Sequence, residues 1–435
     1  MGRVLFGCAV LFIAGPAHAG EPPAPAETVI RLNVEPRAAP RPALRYYLLP
    51  EMRELQPGNP IPNYLKCLMD QDLSENQESL HASALRQADW AARLDKPDWQ
   101  ILPKLKTDGF SLLIPDVQKM RALAAGLQDR FRSEVELGRL DDALRTAKTM
   151  FAMSRHMGEH PTLIGGLVGM AIAYLAIEPF ETMLQQPGCP NLYWALTNLP
   201  RPLVSLDKGM EAERMMVEVE FGDVAGSAPM TPEQISKAIK KVDLLLAIGA
   251  DSRQGTRAWL VKHAKDPKWV DAARRHLIES GRPEALVARY PTYQLLLMDD
   301  MLRFEEHRDE LMKFMTLPAW QVEALAHDIK KPATTPLFDA LLPALLKVRR
   351  AQARLEQRVA MLRHVEALRL YAADHSGRLP SRLAECPVPL PDDPFTGRAF
   401  RYRLDRGTAH LYGAAPKGEE KNPAFNIHYE VSIKP

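Results

Sequence analysis

Residues 343–380 read PALLKVRRAQARLEQRVAMLRHVEALRLYAADHSGRLP. Val348, Leu355, Val359, Leu362, Val365 and Leu368 recur at helical spacing, so this stretch predicts one long helix from Pro343 to His375. Arg349, Arg350, Arg354, Arg358 and Arg363 are expected on the side away from that apolar stripe. Ser376-Gly377 supplies the stop, because glycine adopts the left-handed conformation that closes a helix.

The chain changes character after this helix. Leu379-Pro380 and Leu383 lead through a proline-broken loop to Pro391, and Asp392-Asp393-Pro394-Phe395-Thr396-Gly397 reads as a turn. Phe400 to Leu404 alternates as a strand, Asp405-Arg406-Gly407 is a hairpin turn, and Ala409 to Gly413 returns. Asn426 to Ile433 is expected to add a last strand. Residues 346–435 are thus expected to be a small α+β module.

The order of these elements resembles the soluble head of the major pseudopilin of type II secretion systems, and of related type IV pilin-like proteins. The resemblance is carried by Ala367 to Pro380, then Asp393-Pro394-Phe395-Thr396-Gly397, Phe400-Arg401-Tyr402 and Leu411-Tyr412-Gly413. It implies a long helix packed on an antiparallel sheet, and a place beside a secretion or pilus-type machine. In that family the helix is N-terminal, apolar and membrane-inserted; here it is internal and rich in arginine. The family's calcium loop is replaced by Ala414 to Asn422, where Glu419 and Glu420 sit between two lysines and make a poor set of oxygen ligands. The whole chain also resembles exported bacterial proteins with the same leader and tail, which brings no activity with it.

Upstream, residues 44–345 are helical in pattern and cut by proline and glycine. Helices are expected at 62–70, 78–94, 115–132, 207–221, 232–248, 267–280, 293–315 and 318–329, with a weaker candidate from Leu44 to Gln56 across Pro50. Ser133 to Met157 is the most regular, with Leu137, Leu140, Leu144, Ala147 and Phe151 on one face. Within it, Gly138 to Leu144 resembles the junction of a tetratricopeptide repeat, where glycine and alanine allow close helix pairing. Ser280 to Leu286 is a weaker echo, but the separation of the two glycines is not a multiple of the roughly 34-residue period. The fold class expected is mainly α: an irregular tetratricopeptide-like helical array followed by the pilin-like module.

Leu163 to Ile177, LIGGLVGMAIAYLAI, is the most apolar stretch after the leader. Fifteen helical residues rise only about 22 Å, less than the roughly 30 Å hydrocarbon core, so a buried helix is expected, with Gly165 and Gly169 admitting a close neighbour.

The N-terminus points to export. Arg3 precedes an apolar stretch from Val4 to Gly15, and Ala17-His18-Ala19 offers small residues for cleavage before Gly20. Leu5-Phe6-Gly7-Cys8 is a rival lipoprotein box, but too few residues precede Cys8. Residues 20–43 read as a Pro/Ala-rich tether, in which Thr28 to Val34 alternates like a short strand. Cys67, Cys189 and Cys386 then remain, with three possible pairings, and are expected as buried small hydrophobes.

The chain has 435 residues, 46% of them hydrophobic and 25% charged, with a net charge of +2. That balance leaves no basic footprint for nucleic acid. For chemistry, His156-Met157-Gly158-Glu159-His160 matches the H-x-x-E-H zinc pattern, which needs both imidazoles on one helical face and Glu159 beside a metal-bound water. Pro161 ends the helix at the motif, so a polar helix terminus is the competing reading. Glu305 to Glu310 places Glu306, His307 and Glu310 on one helix, expected as a solvated, salt-bridged face. The six tryptophans are scattered and are expected in the core. No cofactor fingerprint is present. The functional expectation is an exported, non-catalytic scaffold that binds a protein partner, without a membrane span after leader removal. The alternatives are a zinc hydrolase using 156–160 and an accessory component of a secretion or pilus-type system.

Overall fold

Helical periodicity and proline punctuation produce fifteen α-helices among the described residues, and alternation produces four strands. The structure, a computed structural model, describes residues 27–69, 82–109, 112–224, 226, 228–248, 255–325, 337–338 and 344–434. The leader expected at 1–19, with Cys8, lies outside them, as do residues 20–26 of the expected tether.

In chain order the elements are β1 (Thr28–Val34), α1 (Ile61–Met69), α2 (Ala82–Ala91), α3 (Leu102–Asp108), α4 (Pro115–Glu136), α5 (Leu140–Gly158) and α6 (Leu163–Leu184). Then come α7 (Tyr193–Thr197), α8 (Asp207–Phe221), α9 (Pro232–Ile248), α10 (Thr256–Ala264), α11 (Pro267–Glu279), α12 (Glu284–Val287) and α13 (Thr292–Met312). The last are α14 (Ala319–Leu325), α15 (Leu345–Asp374), β2 (Arg401–Asp405), β3 (Thr408–Tyr412) and β4 (Ile427–Ile433).

The strands form one mixed sheet in the order β1-β4-β3-β2. The β2–β3 hairpin turns through Arg406 and Gly407, both at positive φ, as a two-residue turn requires. β1 adds to β4 in parallel, Thr28 opposite Ile427 and Val34 opposite Ile433. Residues 28–34, placed within a tether by composition, are therefore an edge strand whose Leu32 and Val34 are buried. Leu32, Val34, Ala409, Leu411, Ile427, Tyr429 and Val431 form the sheet's inner face and join the same apolar cluster as α15.

That cluster crosses the boundary expected at 345/346. It runs from β1 through α1, α2, α4, α5 and α6 to α15 and the sheet. A second core, around Phe221, Val242, Leu260, Leu277, Leu296 and Phe304, holds α8 to α13 together.

Three helix expectations need correction. The helix predicted from Ser133 to Met157 is two helices, broken where Gly138 takes φ +67°. Nothing lies within 4 Å of a Cβ built on Gly138, so this glycine serves the left-handed turn and not a close helix contact. Leu137, expected on the apolar stripe, follows the end of α4 and is exposed. Leu44 to Gln56 forms turns and bends, with Leu48 buried and Met52 exposed. The apolar stretch at 163–177 continues to Leu184 despite Pro179, so α6 is long enough by composition to cross a membrane, and length does not decide its setting. Its neighbours include α4, α5, α8, α15 and β1. Thr162 caps it, its hydroxyl accepting from the Gly165 N–H at 3.2 Å. A Cβ on Gly169 would stand 2.7 Å from the Ser154 carbonyl oxygen, so glycine there sets the α5–α6 spacing.

The helix α15 departs most from expectation. It is buried on nearly every side, and its arginines do not form a solvent face: Arg349, Arg363 and Arg369 are all buried. Buried charge is costly unless paired. Arg369 lies against Glu366, Arg358 against Glu181, Arg350 against Glu323, and Arg349 against Gln352 and the Leu317 carbonyl. Arg354 stacks on Tyr174 with its guanidinium 4.7 Å from the ring centroid. Arg363, more deeply buried than Arg354, has only a Tyr193 contact and no carboxylate among the described residues.

Candidate functional site: a cleft with an unpaired guanidinium

The helical period of α15 puts Glu356, Val359, Ala360 and Arg363 on one face. That face lines a cleft of about 420 Å³. The opposite walls are the end of α7 with Leu199 and Arg201, Trp320 at the start of α14, and the turn from Pro391 to Gly397.

Arg363 is 5% exposed. Its Nη2 donates to the Tyr193 hydroxyl at 3.3 Å, its guanidinium sits 5.4 Å from the Tyr193 ring centroid, and its Nε has no partner. No carboxylate pairs with it among the described residues. Burial, with the like charge of Arg201 across the cleft, holds its pKa below the ordinary arginine value. Tyr193 is committed in turn: its hydroxyl donates to the Pro389 carbonyl, and its ring packs edge-on against Trp194 at 5.0 Å.

The carboxylates of the cleft are engaged elsewhere or stand in water. Glu356 lies 3.3 Å from Arg349. Asp393 is buried and accepts from Gln357 Nε2 at 3.0 Å, the Ala414 N–H at 2.7 Å and the Phe395 N–H at 2.9 Å, which fixes the turn. Asp392 is exposed at the rim, as is Arg201. Leucine, valine and proline walls around one desolvated cation suit a ligand with an anionic group next to an apolar one. Trp320, expected in the core, is 41% exposed and forms part of this rim.

The residues singled out in the sequence lie elsewhere. His156 lies in the last turn of α5, with Nδ1 3.1 Å from the Tyr64 hydroxyl. His160 lies beyond the helix, with Nδ1 2.9 Å from the Thr162 hydroxyl and its ring edge-on to Trp99 at 4.6 Å. Glu159 forms an ion pair with Lys208 at 2.7 Å. Each side chain thus has its own partner, and the three do not gather as a metal-ligand group among the described residues. Burial lowers His156 to about 3 and His160 to about 4, so both are neutral at pH 7.

On α13, Glu306 meets His276 Nε2 at 3.2 Å while Asp299 meets His276 Nδ1 at 2.6 Å, so this run pairs with α11 and is not purely solvated. Glu310 pairs with Lys313. In the loop at 414–422, Glu419 accepts from Asn422 and faces Arg350, and Glu420 accepts from the Gly418 N–H. Cys67 and Cys189 are buried and Cys386 is half-buried, and none of the three is joined in a disulfide among the described residues.

Comparison with protein-family models, with curated proteins and with solved structures returned no match.

Proposed function

We propose that the protein is an exported, non-catalytic scaffold that captures a protein partner through a carboxylate, a free C-terminus flanked by apolar side chains, seated in the cleft on Arg363. One observation carries the reading: a guanidinium 5% exposed, without a carboxylate partner among the described residues, facing an apolar cleft. Of the buried arginines of α15, Arg349 and Arg369 are met by carboxylates and carbonyls, whereas Arg363 has one long hydrogen bond and the Tyr193 ring, which leaves donor capacity for a ligand. A planar fork that matches carboxylate geometry is the group suited to such capture.

Export rests on the leader pattern of Arg3, Val4 to Gly15 and Ala17-His18-Ala19. A pseudopilin-like role for the C-terminal module is supported by the order of long helix, Asp393-Pro394-Phe395-Thr396-Gly397 turn, hairpin and final strand. The partner class is then a protein of the bacterial envelope, in keeping with a secretion or pilus-type system. A zinc-hydrolase role for 156–160 has no such support, because the three side chains are engaged separately.

The test uses the full chain and two fluorescent pools of degenerate peptides, one with free C-terminal carboxylates and one with amides, read by anisotropy. A charge-assisted hydrogen bond contributes about 1.5–3 kcal/mol. The acid pool is therefore expected to bind at least tenfold more tightly, and Arg363→Met to erase the difference. Equal binding of both pools, or an unaffected Arg363→Met variant, would overturn the proposal.

A further inference from the structure

The outward face of the sheet carries a second, separate constellation. Alternation along β4 sends Ile427, Tyr429 and Val431 into the core and His428 and Glu430 to the opposite face. The antiparallel register sets His410 of β3 across from Glu430, and Tyr412 across from His428. His410 Nδ1 then lies 3.0 Å from His428 Nε2 and 3.9 Å from Glu430 Oε1. One ligand-type atom from each residue falls within 4.8 Å of the others. A tetrahedral ion with bonds of about 2.0–2.1 Å spaces its ligands roughly 3.3 Å apart, between the 3.0 and 3.9 Å separations from His410 Nδ1.

The surroundings hold the donors in place. The Glu27 carboxylate stands 3.5 Å from the other ring nitrogen of His428, Nδ1. There it fixes the proton on Nδ1 and turns Nε2 toward the cluster, as carboxylates behind ligating histidines do. Tyr412 stacks on the His428 ring at 4.2 Å between centroids. Arg31 binds Oε2 of Glu430 at 2.8 Å and leaves Oε1 facing His410. His428 is buried, and the side chain of His410 is 13% exposed. Donors immobilised in this way lose little freedom when an ion arrives.

We propose that His410, His428 and Glu430 bind a divalent transition-metal ion of the zinc class, with Glu27 orienting His428 from behind. Two imidazoles and one carboxylate suit zinc, copper or nickel; calcium and magnesium demand oxygen donors. Arg31 and the nearby Arg401 offset the carboxylates, so the site selects by donor type and not by bulk negative charge. Three protein ligands leave one position for water. The ion would tie β3 to β4 and, through Glu27, the start of β1.

The experiment strips the full chain with a chelator and then titrates it with zinc chloride against a chromophoric zinc competitor. Wild type is expected to bind one equivalent with micromolar or tighter affinity, and calcium chloride is not expected to compete. His410→Ala and His428→Ala should each weaken binding at least a hundredfold, Glu27→Gln should weaken it about tenfold with unchanged stoichiometry, and His375→Ala, at the C-cap of α15, should bind as wild type does. Thermal melts keep the test open if one variant folds poorly: zinc should raise the midpoint of wild type and not that of His410→Ala. A wild type that binds no zinc, or zinc binding undiminished in His410→Ala, would overturn the assignment.

Discussion

Replacing Arg369 with methionine isolates the most demanding interaction in the fold. Arg369 and Glu366 have fully buried side chains. The guanidinium donates to both oxygens of Glu366 at 2.9 and 3.1 Å, and to the carbonyls of Cys189 at 2.8 Å, Glu35 at 3.0 Å and Pro190 at 3.3 Å. It therefore ties α15 to the chain just after β1 and to the loop after α6. Methionine keeps much of the volume and removes every donor. A stranded buried carboxylate costs about 3–5 kcal/mol, and each carbonyl without a donor adds about 1 kcal/mol or more. Against a total stability of roughly 5–15 kcal/mol, that loss is large. The double variant Glu366→Met/Arg369→Met removes the stranded charge but leaves the Cys189 and Glu35 carbonyls and the Leu192 N–H short of a partner, so it should recover only part of the loss. Urea unfolding by circular dichroism gives the stabilities, and hydrogen exchange of the amides of 28–34 reports whether β1 loosens first. A single variant within about 1 kcal/mol of wild type, or a double variant at least as unstable as the single one, would refute the reasoning.

Further outcomes follow from burial and close approach. Burial lowers His156 to about 3, His160 to about 4 and His364 to about 4, against an ordinary 6.5. The unfolded chain thus binds more protons below pH 6.5, so stability present above that pH is lost as pH falls toward 4, by roughly 2 kcal/mol per histidine at pH 5; a urea midpoint unchanged between pH 7 and pH 5 would sink this. Gly169→Ala should destabilise by about 1–3 kcal/mol despite the better helix propensity of alanine, because its Cβ meets the Ser154 carbonyl oxygen at 2.7 Å; a melting temperature at or above wild type would contradict the close α5–α6 approach.

Local chemistry was legible in the sequence. The helices predicted at 207–221 and 232–248 are found at those bounds, and the Asp405-Arg406-Gly407 turn closes the hairpin it announced. Pro232 at the start of α9 and Gly407 in the left-handed turn show why, since both act on their neighbours in the chain. Long-range pairing was not legible. Thr28 to Val34 alternates visibly, yet nothing local says that it lies parallel to residues 427–433. The helices α3, α7, α10 and α12 were missed because they are short, from four to nine residues, and offer little periodicity. The arginine face of α15 was misread because a stripe analysis sends charge to solvent, whereas here carboxylates and carbonyls from α6, α14 and the chain after β1 come to meet it. The cleft gathers residues near 196, 320, 360 and 394, so only the fold assembles it. The metal-type cluster left a trace in hindsight, His410 with His428 and Glu430 on the polar phase of two strands, but β-register alone brings them together.

The polar burial along α15 bears on how structure and function divide in this chain. A helix surrounded by protein gains nothing from arginine unless each guanidinium replaces its lost water with fixed partners. Arg349, Arg350, Arg358 and Arg369 do so through carboxylates or carbonyls supplied by other elements, and those contacts hold the sheet, the body helices and the first strand in one core. Arg363 obeys the same desolvation and lacks that compensation, having one long hydrogen bond and an aromatic face. Methionine or leucine would fill its place with less strain on the fold. On the proposal made above, a partner's carboxylate offsets the cost of that cation, and the apolar walls beside it receive the side chains next to the carboxylate.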